Sequence, residues 1–406
     1  MKTRKTESAV LSKKAGVALF TVLTLLATLS LLASFSYMVM RTDMSISNNY
    51  VKATKAFYQT EAGIHYVRNQ IEQLLKSGAP LTVGENAVNI EPPEGFTFDP
   101  VHSFTVLDSR MQSFLYSVTG HSGDSKTTIE VVVARRPLIM CGLLGENSLR
   151  VQPQFDILSF DSRLLAGLPA FGDSSGEASV GSNYDVTLQS HVVLDGNVLL
   201  GAAEDGTWAV FTGHGVGDWE TVEFERFDPD PLGSIGGNLA DQFTDVIANN
   251  DNASADPPIV GNTVNLGPGD TLTLTAGDYY LTSMDMGPKG DLIIDASAGP
   301  VNIYLDGEWY MGPNGTINNG GLPTDLSIFS RSDERIWIQP NSGFSGFIYA
   351  PFSTDVWMKP HGDAYGAVWA KDLRLFPQGY WFIDVALLDK FMSDELHFAS
   401  WKEIRS

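Results

Sequence analysis

Residues 17–40 read VALFTVLTLLATLSLLASFSYMVM, and this uncharged run follows Gly16 and five basic residues: Lys2, Arg4, Lys5, Lys13 and Lys14. With Ala15 the apolar stretch is about 26 residues, or roughly 39 Å as a helix, which is long enough to span a bilayer with some tilt. A cleavable secretory signal has an apolar core of only about 7 to 15 residues. Because the positive charges all precede the run, the positive-inside rule predicts a single-pass chain with a cytoplasmic N-terminus and everything after Arg41 outside.

Past the apolar run, a helical pattern continues without a proline to about residue 77. Apolar residues recur every three or four positions on one helix face: Ile46, Tyr50, Ala53, Phe57, Ile64, Val67, Ile71 and Leu74. Gly78 and Pro80 then form a helix stop signal. The sequence therefore predicts one helix over residues 17–77, on the order of 90 Å long, with its N-terminal third in lipid and the rest packed on protein.

Residues at the start of this helix resemble a known family. Lys13-Lys14-Ala15-Gly16 followed by Val17-Ala18-Leu19-Phe20 is similar to the class III leader of type IV pilin-like proteins, and Tyr58–Ile64 is similar to a stretch of PilX-like pilus-assembly proteins. The resemblance implies a leader at residues 1–16, cleavage by a prepilin peptidase between Gly16 and Val17, and methylation of the new N-terminus. It also implies partners: the peptidase, other pilins and minor pilins reached through the helix, and a tip adhesin.

One residue departs from the pattern of major pilins. Thr21 stands at the fifth mature position, where major pilins carry a glutamate that pairs with a neighbour's terminal amine. Because a charge in lipid is costly unless it is paired, threonine eases storage in the membrane but removes an assembly contact. This disfavours a major subunit. A plain single-span anchor is the alternative, although it explains neither the glycine at the charge boundary nor the long unbroken helix.

Composition indicates an acidic protein that works outside the cell. The formal net charge is −22, and residues 1–16 carry five positive and one negative side chains, so the mature chain is still more negative. Such a charge disfavours nucleic acid as a partner. Cys141 is the only cysteine, so no disulfide staples the chain internally.

Beyond the helix, short strands replace the helical period. Strand-like segments in residues 78–137 predict a small antiparallel, pilin-like sheet that covers the helix. In residues 138–390, short strands recur most often about 10 residues apart, which fits a sandwich, a barrel or a solenoid. Few hairpin signals and paired units of about 20 residues favour the solenoid.

The predicted fold class is therefore α+β: a long transmembrane and amphipathic helix, a small antiparallel sheet, and a mainly-β right-handed β-helix. An insertion at about residues 203–258 is expected to project from the β-helix, and a tail at residues 391–406 is expected to cap its open end. The closing part resembles an uncharacterised β-helical module found after PilX-like leaders. The segments that carry this resemblance are Phe347–Pro351, Tyr365–Lys371 and Phe382–Leu387.

Catalytic and metal-binding patterns are scarce. The seven histidines show no paired metal-ligand spacing, and no nucleophile elbow is present, so the prediction is a non-enzyme without a metal or cofactor. Asp228 and Asp230 form the one close carboxylate pair in an unusual context, and an exposed turn explains them better than catalysis. The acidic segment Asn249–Asp256 is a candidate calcium site, with a solvated turn as the favoured alternative.

Tryptophans give the stronger hint of a binding surface. Four recur along the last predicted coils: Trp337, Trp357, Trp369 and Trp381. An aromatic stack inside the solenoid is the favoured interpretation, and a contact surface for a partner or carbohydrate is the alternative.

The sequence thus predicts a minor pilin-like component of a type IV pilus or related fibre, in the inner (cytoplasmic) membrane. Its head would be periplasmic or extracellular, and its size favours display or priming at the pilus tip. The alternatives are a membrane-anchored adhesion or carbohydrate-binding protein, and a glycan-cleaving enzyme on a β-helix.

Overall fold

The computed structural model describes residues 4–77, 81–107, 113–165, 167–169, 174–214, 219–224, 226–234, 239–339, 341–359 and 362–404. Two compact units are present: the first combines Met1–Ala134 with Leu396–Ser406, and the second is Arg135–Glu395. The chain thus leaves the first unit, builds the second, and returns to the first.

The elements are numbered in chain order. The helices are α1 Arg4–Lys76, α2 Pro231–Ser234, α3 Leu239–Ala248 and α4 Val385–Lys390, with 3-10 turns at Asn252–Ser254 and Pro323–Asp325. The strands are β1 Gly84–Ile90, β2 Val101–Val106, β3 Ser113–Ser122, β4 Ser125–Pro137, β5 Leu143–Val151, β6 Phe155–Phe160, β7 Ala178–Ser182, β8 Asp185–Leu188, β9 Val192–Leu194, β10 Gly196–Leu200, β11 Val210–Gly213, β12 Glu220–Glu223, β13 Thr263–Leu266, β14 Thr271–Thr275, β15 Gly277–Leu281, β16 Ser283–Met286, β17 Asp291–Asp295, β18 Val301–Leu305, β19 Trp309–Met311, β20 Thr316–Ile317, β21 Leu326–Ser330, β22 Ile336–Ile338, β23 Gly343–Ala350, β24 Val356–Met358, β25 Asp363–Leu375, β26 Gly379–Asp384 and β27 Met392–Ile404.

The first unit packs the C-terminal part of α1 on a five-stranded sheet of order β1-β2-β3-β4-β27. Strands β1 to β4 pair antiparallel. The predicted long helix is confirmed, and α1 ends within one residue of the expected position. Its packed face begins only at Ala56, however, because Ile46, Tyr50 and Ala53 are exposed.

Small residues allow α1 to approach the sheet closely. A Cβ on Gly63 would lie 2.7 Å from a methyl of Val118, and one on Gly120 would lie 2.4 Å from the backbone nitrogen of Thr60. In this tight contact the buried Thr60 hydroxyl accepts a hydrogen bond from the Gly120 N–H at 3.0 Å. The same hydroxyl lies within donating distance of the Thr127 carbonyl oxygen, at 2.9 Å. Gly63 therefore weakens the helix intrinsically but permits its packing.

The second unit is a set of parallel strands in three ladders, which we call the parallel stack. The first ladder is β13-β16-β19-β22-β24-β25-β5-β8-β11. The second is β14-β17-β20-β23-β25-β26-β6-β9. The third is β15-β18-β21-β23-β25-β5-β7-β10-β12. Apolar side chains from all three ladders form one interior cluster.

The chain enters the parallel stack in its middle. Strands β5 and β6 come first in sequence, yet they pair with the last strands, β25 and β26. From there the chain builds outward to β12, and the next strand in sequence, β13, lies at the opposite end of the ladders. The described residues between them, 224, 226–234 and 239–262, form a connection. The order of strands in the ladders therefore differs from their order in the sequence at this connection.

The described residues of the predicted insertion at 203–258 pack within or against the stack rather than project from it. Strands β11 and β12 within it pair in the ladders, and α3 buries Leu239, Phe243 and Val246 in a second apolar cluster. The described residues between β12 and β13, which include α3, therefore pack against the outer side of the third ladder, and we call them the connection.

Most of the predicted capping tail, from Leu396 onward, belongs instead to the first unit, whereas Phe391 packs in the second apolar cluster of the stack. Residues 392–404 form β27, at the edge of the antiparallel sheet. Leu396 is buried in the core under α1, and its N–H donates to a carboxylate oxygen of Glu72 at 2.9 Å. The apolar positions of this segment thus cover α1 rather than the end of the stack.

Candidate functional site

The N-terminal half of α1 has no protein cover among the described residues. All residues from Val17 to Val51 are exposed, and the helix contains the one span in the described part of the chain that is long and apolar enough to cross a membrane, with a window mean hydropathy of 2.2. Several of its hydroxyl groups bond within the helix: Thr21 donates to the Val17 carbonyl at 2.7 Å, and Thr28 and Ser34 donate to the carbonyls four residues before them. Such internal bonds lower the cost of polar side chains in lipid.

The predicted processing site lies inside α1. Gly16 and Val17 are both helical, and the helix continues on both sides of the bond between them. Cleavage there stays a prediction, as does the role of Thr21 at the fifth mature position.

The four predicted tryptophans occupy three different environments. Trp381 lies in the interior of the stack, where its indole N–H donates to the Gly366 carbonyl at 3.0 Å. Trp369 is also buried, on the outer side of the third ladder. Trp337 and Trp357 are half-buried neighbours in the first ladder, where their ring centroids are 5.4 Å apart. Only this last pair can contribute to a surface.

Trp369 belongs to a row of aromatic side chains in register along the third ladder, which we call the covered column: Tyr280, Tyr304, Phe329, Tyr349 and Trp369. Every member is at most 8% exposed. The cover comes from the connection, whose apolar side chains belong to the same cluster: Phe227, Leu232, Leu239, Phe243 and Val246. These aromatics are core residues.

Polar contacts fix the connection to the covered column. The Tyr349 hydroxyl donates to Asp230 at 2.5 Å and accepts the Leu232 N–H at 3.1 Å, and burial raises the pKa of Tyr349. Asp228 accepts the Asp230 N–H at 2.9 Å. The pair is half-buried rather than exposed, and its carboxylates hold the turn and the tyrosine.

The first ladder carries a second row in register, which we call the open column: Tyr310, Trp337, Trp357, Arg374 and Arg150. Trp337 lies between the inward-facing Ile336 and Ile338, so its side chain points outward by the alternation of the strand. Trp337 meets Tyr310 edge-on, with ring centroids 5.8 Å apart. No described segment of the chain covers this column as the connection covers the other.

Cations flank the two indoles of the open column. Arg335 lies 5.2 Å from the Trp337 ring centroid and 5.5 Å from that of Trp357. On the other side Lys359 lies 5.3 Å and 5.4 Å from the same rings. Burial lowers the pKa of Lys359. The result is an aromatic and cationic surface on a strongly acidic chain.

The candidate calcium segment is occupied by structural contacts. The Asn252 amide donates to the Tyr280 carbonyl at 2.8 Å and to Asn262 at 3.0 Å, and Asp251 accepts the Asp278 N–H at 2.8 Å. In the described part of the chain, no three His, Cys, Asp or Glu side chains group as a metal site.

The last sequence motif has a structural explanation. Asp384 accepts the Ser162 N–H at 3.1 Å and the Ala386 N–H at 3.0 Å, so it caps α4 and ties it to the turn after β6. Burial raises the pKa of Asp384. This aspartate therefore stabilises the fold.

Comparison with known proteins gives a partial family match. Residues 285–387 match a family model described as "Domain of unknown function (DUF7305)", and this range contains all three motif segments of the closing part. The curated proteins give no match.

Solved structures give distant likenesses. The competence-associated pilin ComZ from Thermus thermophilus is 11% identical over 87% of this chain and 97% of that chain, with a TM-score of 0.30. An ice-binding protein from Antarctomyces psychrotrophicus is 12% identical over 61% of this chain and 96% of that chain, with a TM-score of 0.33. The ice-binding protein_1 DUF3494 domain from Shewanella frigidimarina is 18% identical over 54% of this chain and 99% of that chain, with a TM-score of 0.26. At such values, fold and function rest on the chain's own residues.

Proposed function

We propose that this protein is a minor pilin-like subunit of a type IV pilus or related fibre, anchored by α1 and displaying its second unit outside the membrane. The observation that carries the proposal is the division of α1. From Ala56 onward the helix packs under an antiparallel sheet, whereas Val17–Val51 is bare. A bare helix of about 35 residues is roughly 52 Å long and exceeds the hydrocarbon core of about 30 Å.

The part of this bare helix that extends beyond the hydrocarbon core supports an assembly role. Ile46 is 61% exposed and Tyr50 is 73% exposed, and both lie beyond the span that lipid can cover. Apolar side chains in that position need a protein partner, and the helices of neighbouring pilin-type subunits supply one in this proposal. A plain anchor leaves this face without a function.

The finer assignment follows the sequence resemblance. The protein is PilX-like, is processed between Gly16 and Val17 by a prepilin peptidase, and resides in the inner membrane with its N-terminus in the cytoplasm. Thr21 in place of the glutamate of major pilins supports a minor position, at or near the fibre tip. The parallel stack is a right-handed β-helix in this proposal, which the three parallel ladders support.

The decisive experiment is mass spectrometry of the N-terminus of the cellular protein, with and without active prepilin peptidase. A chain that starts at methylated Val17 only when the peptidase is active would support the proposal. A chain that retains residues 1–16 in both strains would overturn it. The Gly16→Val variant, with a bulky residue at the cut, should keep the leader in both strains.

A second candidate function is binding of a surface ligand by the second unit. The open column favours it, because aromatic side chains and arginine are enriched at binding surfaces. No catalysis is assigned to this unit, since Asp228 and Asp230, the carboxylates weighed for an enzyme, hold the covered column in place.

A further inference from the structure

A polar pocket opens in the parallel stack where a strand from the end of the second unit pairs with a strand from its beginning. We call it the seam pocket, because it lies where β25 pairs with β5, the last and the first long strands of the second unit. Its volume is about 230 Å³. The residues that carry its chemistry are Ser148, Arg150, Asp355, Trp357, Asp372 and Arg374.

An irregularity in the strand pairing shapes the seam pocket. Ala370 pairs with Gly145, but Asp372 pairs with Ser148, so β5 has one residue more than β25 over this step. Bulges of this kind redirect side chains and occur next to binding sites. Here the bulge is followed directly by the Asp372–Ser148 and Arg374–Arg150 pairs that line the pocket.

The two carboxylates of the pocket are already engaged. The Ser148 hydroxyl donates to Asp372 at 2.7 Å. The Trp357 indole N–H donates to Asp355 at 2.7 Å, and Arg335 pairs with the same carboxylate at 3.4 Å. These contacts hold the acidic side chains in place and satisfy part of their charge.

The two guanidinium groups of the pocket make no ion pair in the described part of the chain. Within the described residues, neither Arg150 nor Arg374 has a carboxylate at ion-pair distance, and Arg374 contacts the face of Trp357 at 5.3 Å. Arg150 is exposed. Two unpaired positive charges beside an indole fit a ligand that carries a planar anion next to a ring, because guanidinium groups bind carboxylates in a fixed two-donor geometry.

We propose that the seam pocket binds an acidic sugar residue, a hexuronate unit of an oligosaccharide that continues along the open column. The sugar carboxylate lies between Arg150 and Arg374, and its ring lies beside the half-buried Trp357. Asp355, Asp372 and Ser148 accept or share hydrogen bonds with its hydroxyl groups. Trp337 and Tyr310 form the next surfaces along the same row.

Other polyanions fit less well. A nucleic acid strand is a long polyanion, and the chain has 48 acidic against 26 basic residues, which repel it along its whole length, whereas a short uronate oligomer places few charges beyond the pocket. An acidic peptide supplies carboxylates but no ring that matches the indole and the engaged carboxylates. A sugar acid supplies one charge, one ring face and several hydroxyl groups in the volume of the pocket.

The experiment is isothermal titration of the full chain in detergent micelles with a tetramer of galacturonic acid and with its fully methyl-esterified form. These two ligands share the rings and differ in charge. We expect the acid tetramer to bind and the ester to bind at least about tenfold more weakly, as expected for loss of a charged anchor. Absence of binding by the acid tetramer, or equal binding of both, would overturn the proposal.

Matched variants locate the binding site. Arg150→Gln should weaken acid-tetramer binding about tenfold or more, and Arg150→Lys should recover part of it. Lys126→Gln removes the same charge from the first unit and should change nothing. Arg150 is exposed and makes no ion pair among the described residues, so the unfolding midpoint of Arg150→Gln should equal that of the unmodified chain. Unchanged affinity in that folded variant would exclude the seam pocket.

Two further titrations separate the ligand classes. A single-stranded oligothymidylate or a glutamate oligopeptide that binds more tightly than the acid tetramer, and loses affinity in Arg150→Gln, would reject the sugar and keep the pocket. The inference rests on the second candidate function only. N-terminal processing and glycan binding are measured independently, so failure here leaves the pilin-like proposal intact.

Discussion

The covered column and the open column both carry aromatic side chains on one parallel stack, but among the described residues only the covered column is enclosed by another segment of the chain. The connection through residues 224–262 crosses the third ladder and brings Trp369 to 1% exposure. On the first ladder, Trp337 and Trp357 stay half-buried, in contact with each other, with the cations Arg335, Lys359 and Arg374, and with the rings of Tyr310 and Phe376. The difference shows that an outward aromatic row becomes core or surface depending on a segment distant in sequence.

The largest expected effect is on stability at the covered column. Trp369→Ala should lower the free energy of unfolding by about 3–5 kcal/mol, because it leaves a cavity under the connection. Trp337→Ala should cost only about 1 kcal/mol, the value of an aromatic contact at a partly exposed site. Urea unfolding of the full chain, followed by far-ultraviolet circular dichroism, measures both. Similar costs at the two positions would mean that the open column is also covered.

Removing the cover itself should have a slightly smaller effect on stability and a distinct signature. Phe243 is fully buried, and its ring meets Tyr304 edge-on at 5.1 Å. Phe243→Ala should destabilise the chain by about 3–4 kcal/mol and increase binding of a hydrophobic dye, since it bares the covered column. The exposed Asp245 on the same helix offers a matched control, and Asp245→Ala should leave both readouts unchanged. Dye binding that does not rise would show that α3 is not the cover.

Part of the difference between the covered column and the open column could be predicted from the sequence, and part of it could not. Isoleucine on each side of Trp337 is the local pattern of an outward indole, yet the favoured interpretation places all four tryptophans inside the solenoid. The period of α1 predicts a packed face from Ile46 to Leu74, and the part from Ala56 onward is packed. Cover by residues such as Phe243 cannot be predicted this way, because the chain enters the stack in its middle and only then crosses the third ladder. The grouping of four tryptophans failed for the same reason, since spacing along the chain does not tell which ladder a residue joins.

The seam pocket was missed in the same way. Ser148 and Arg150 lie more than 200 residues from Asp372 and Arg374 in sequence, and only the pairing of β5 with β25 brings them together. The positions of the C-terminal tail and of residues 203–258 also depend on such long-range pairing. Strand types were thus readable from local patterns, whereas ladder order depends on long-range pairing.

A moderate effect is expected from one hydroxyl of the covered column. Tyr349→Phe removes the bond to Asp230 at 2.5 Å and leaves that carboxylate partly unsatisfied. The free energy of unfolding should fall by about 1.5–3 kcal/mol, as for other bonds to a charged group. Tyr310→Phe makes the same change in the open column and should cost less than about 0.5 kcal/mol. Equal costs would show that the Asp230 contact contributes nothing to fixing the connection.

The smallest expected effect is a pH dependence at the open column. Burial lowers the pKa of Lys359 in the folded chain relative to its unfolded value of about 10.4. Between the two values the unfolded chain binds more protons, so stability should rise with pH through this alkaline window and reach its full value above it. Lys359→Met removes the charge and should flatten this rise, whereas Lys289→Met, at an exposed site on the same stack, should retain it.

The direction in which stability changes with pH shows whether the aromatic rings of the open column stabilise the charged form of Lys359. Lys359 lies 4.3 Å from the Phe376 ring centroid as well as near both indoles, and contacts of this kind favour the charged ammonium. If desolvation dominates, urea midpoints of the unmodified chain rise relative to Lys359→Met as the pH increases towards about 10. If the rings dominate, the relative midpoints fall over the same range. The second outcome would make the open column a preformed cation cage and would weaken the view that its indoles are free to hold a sugar ring.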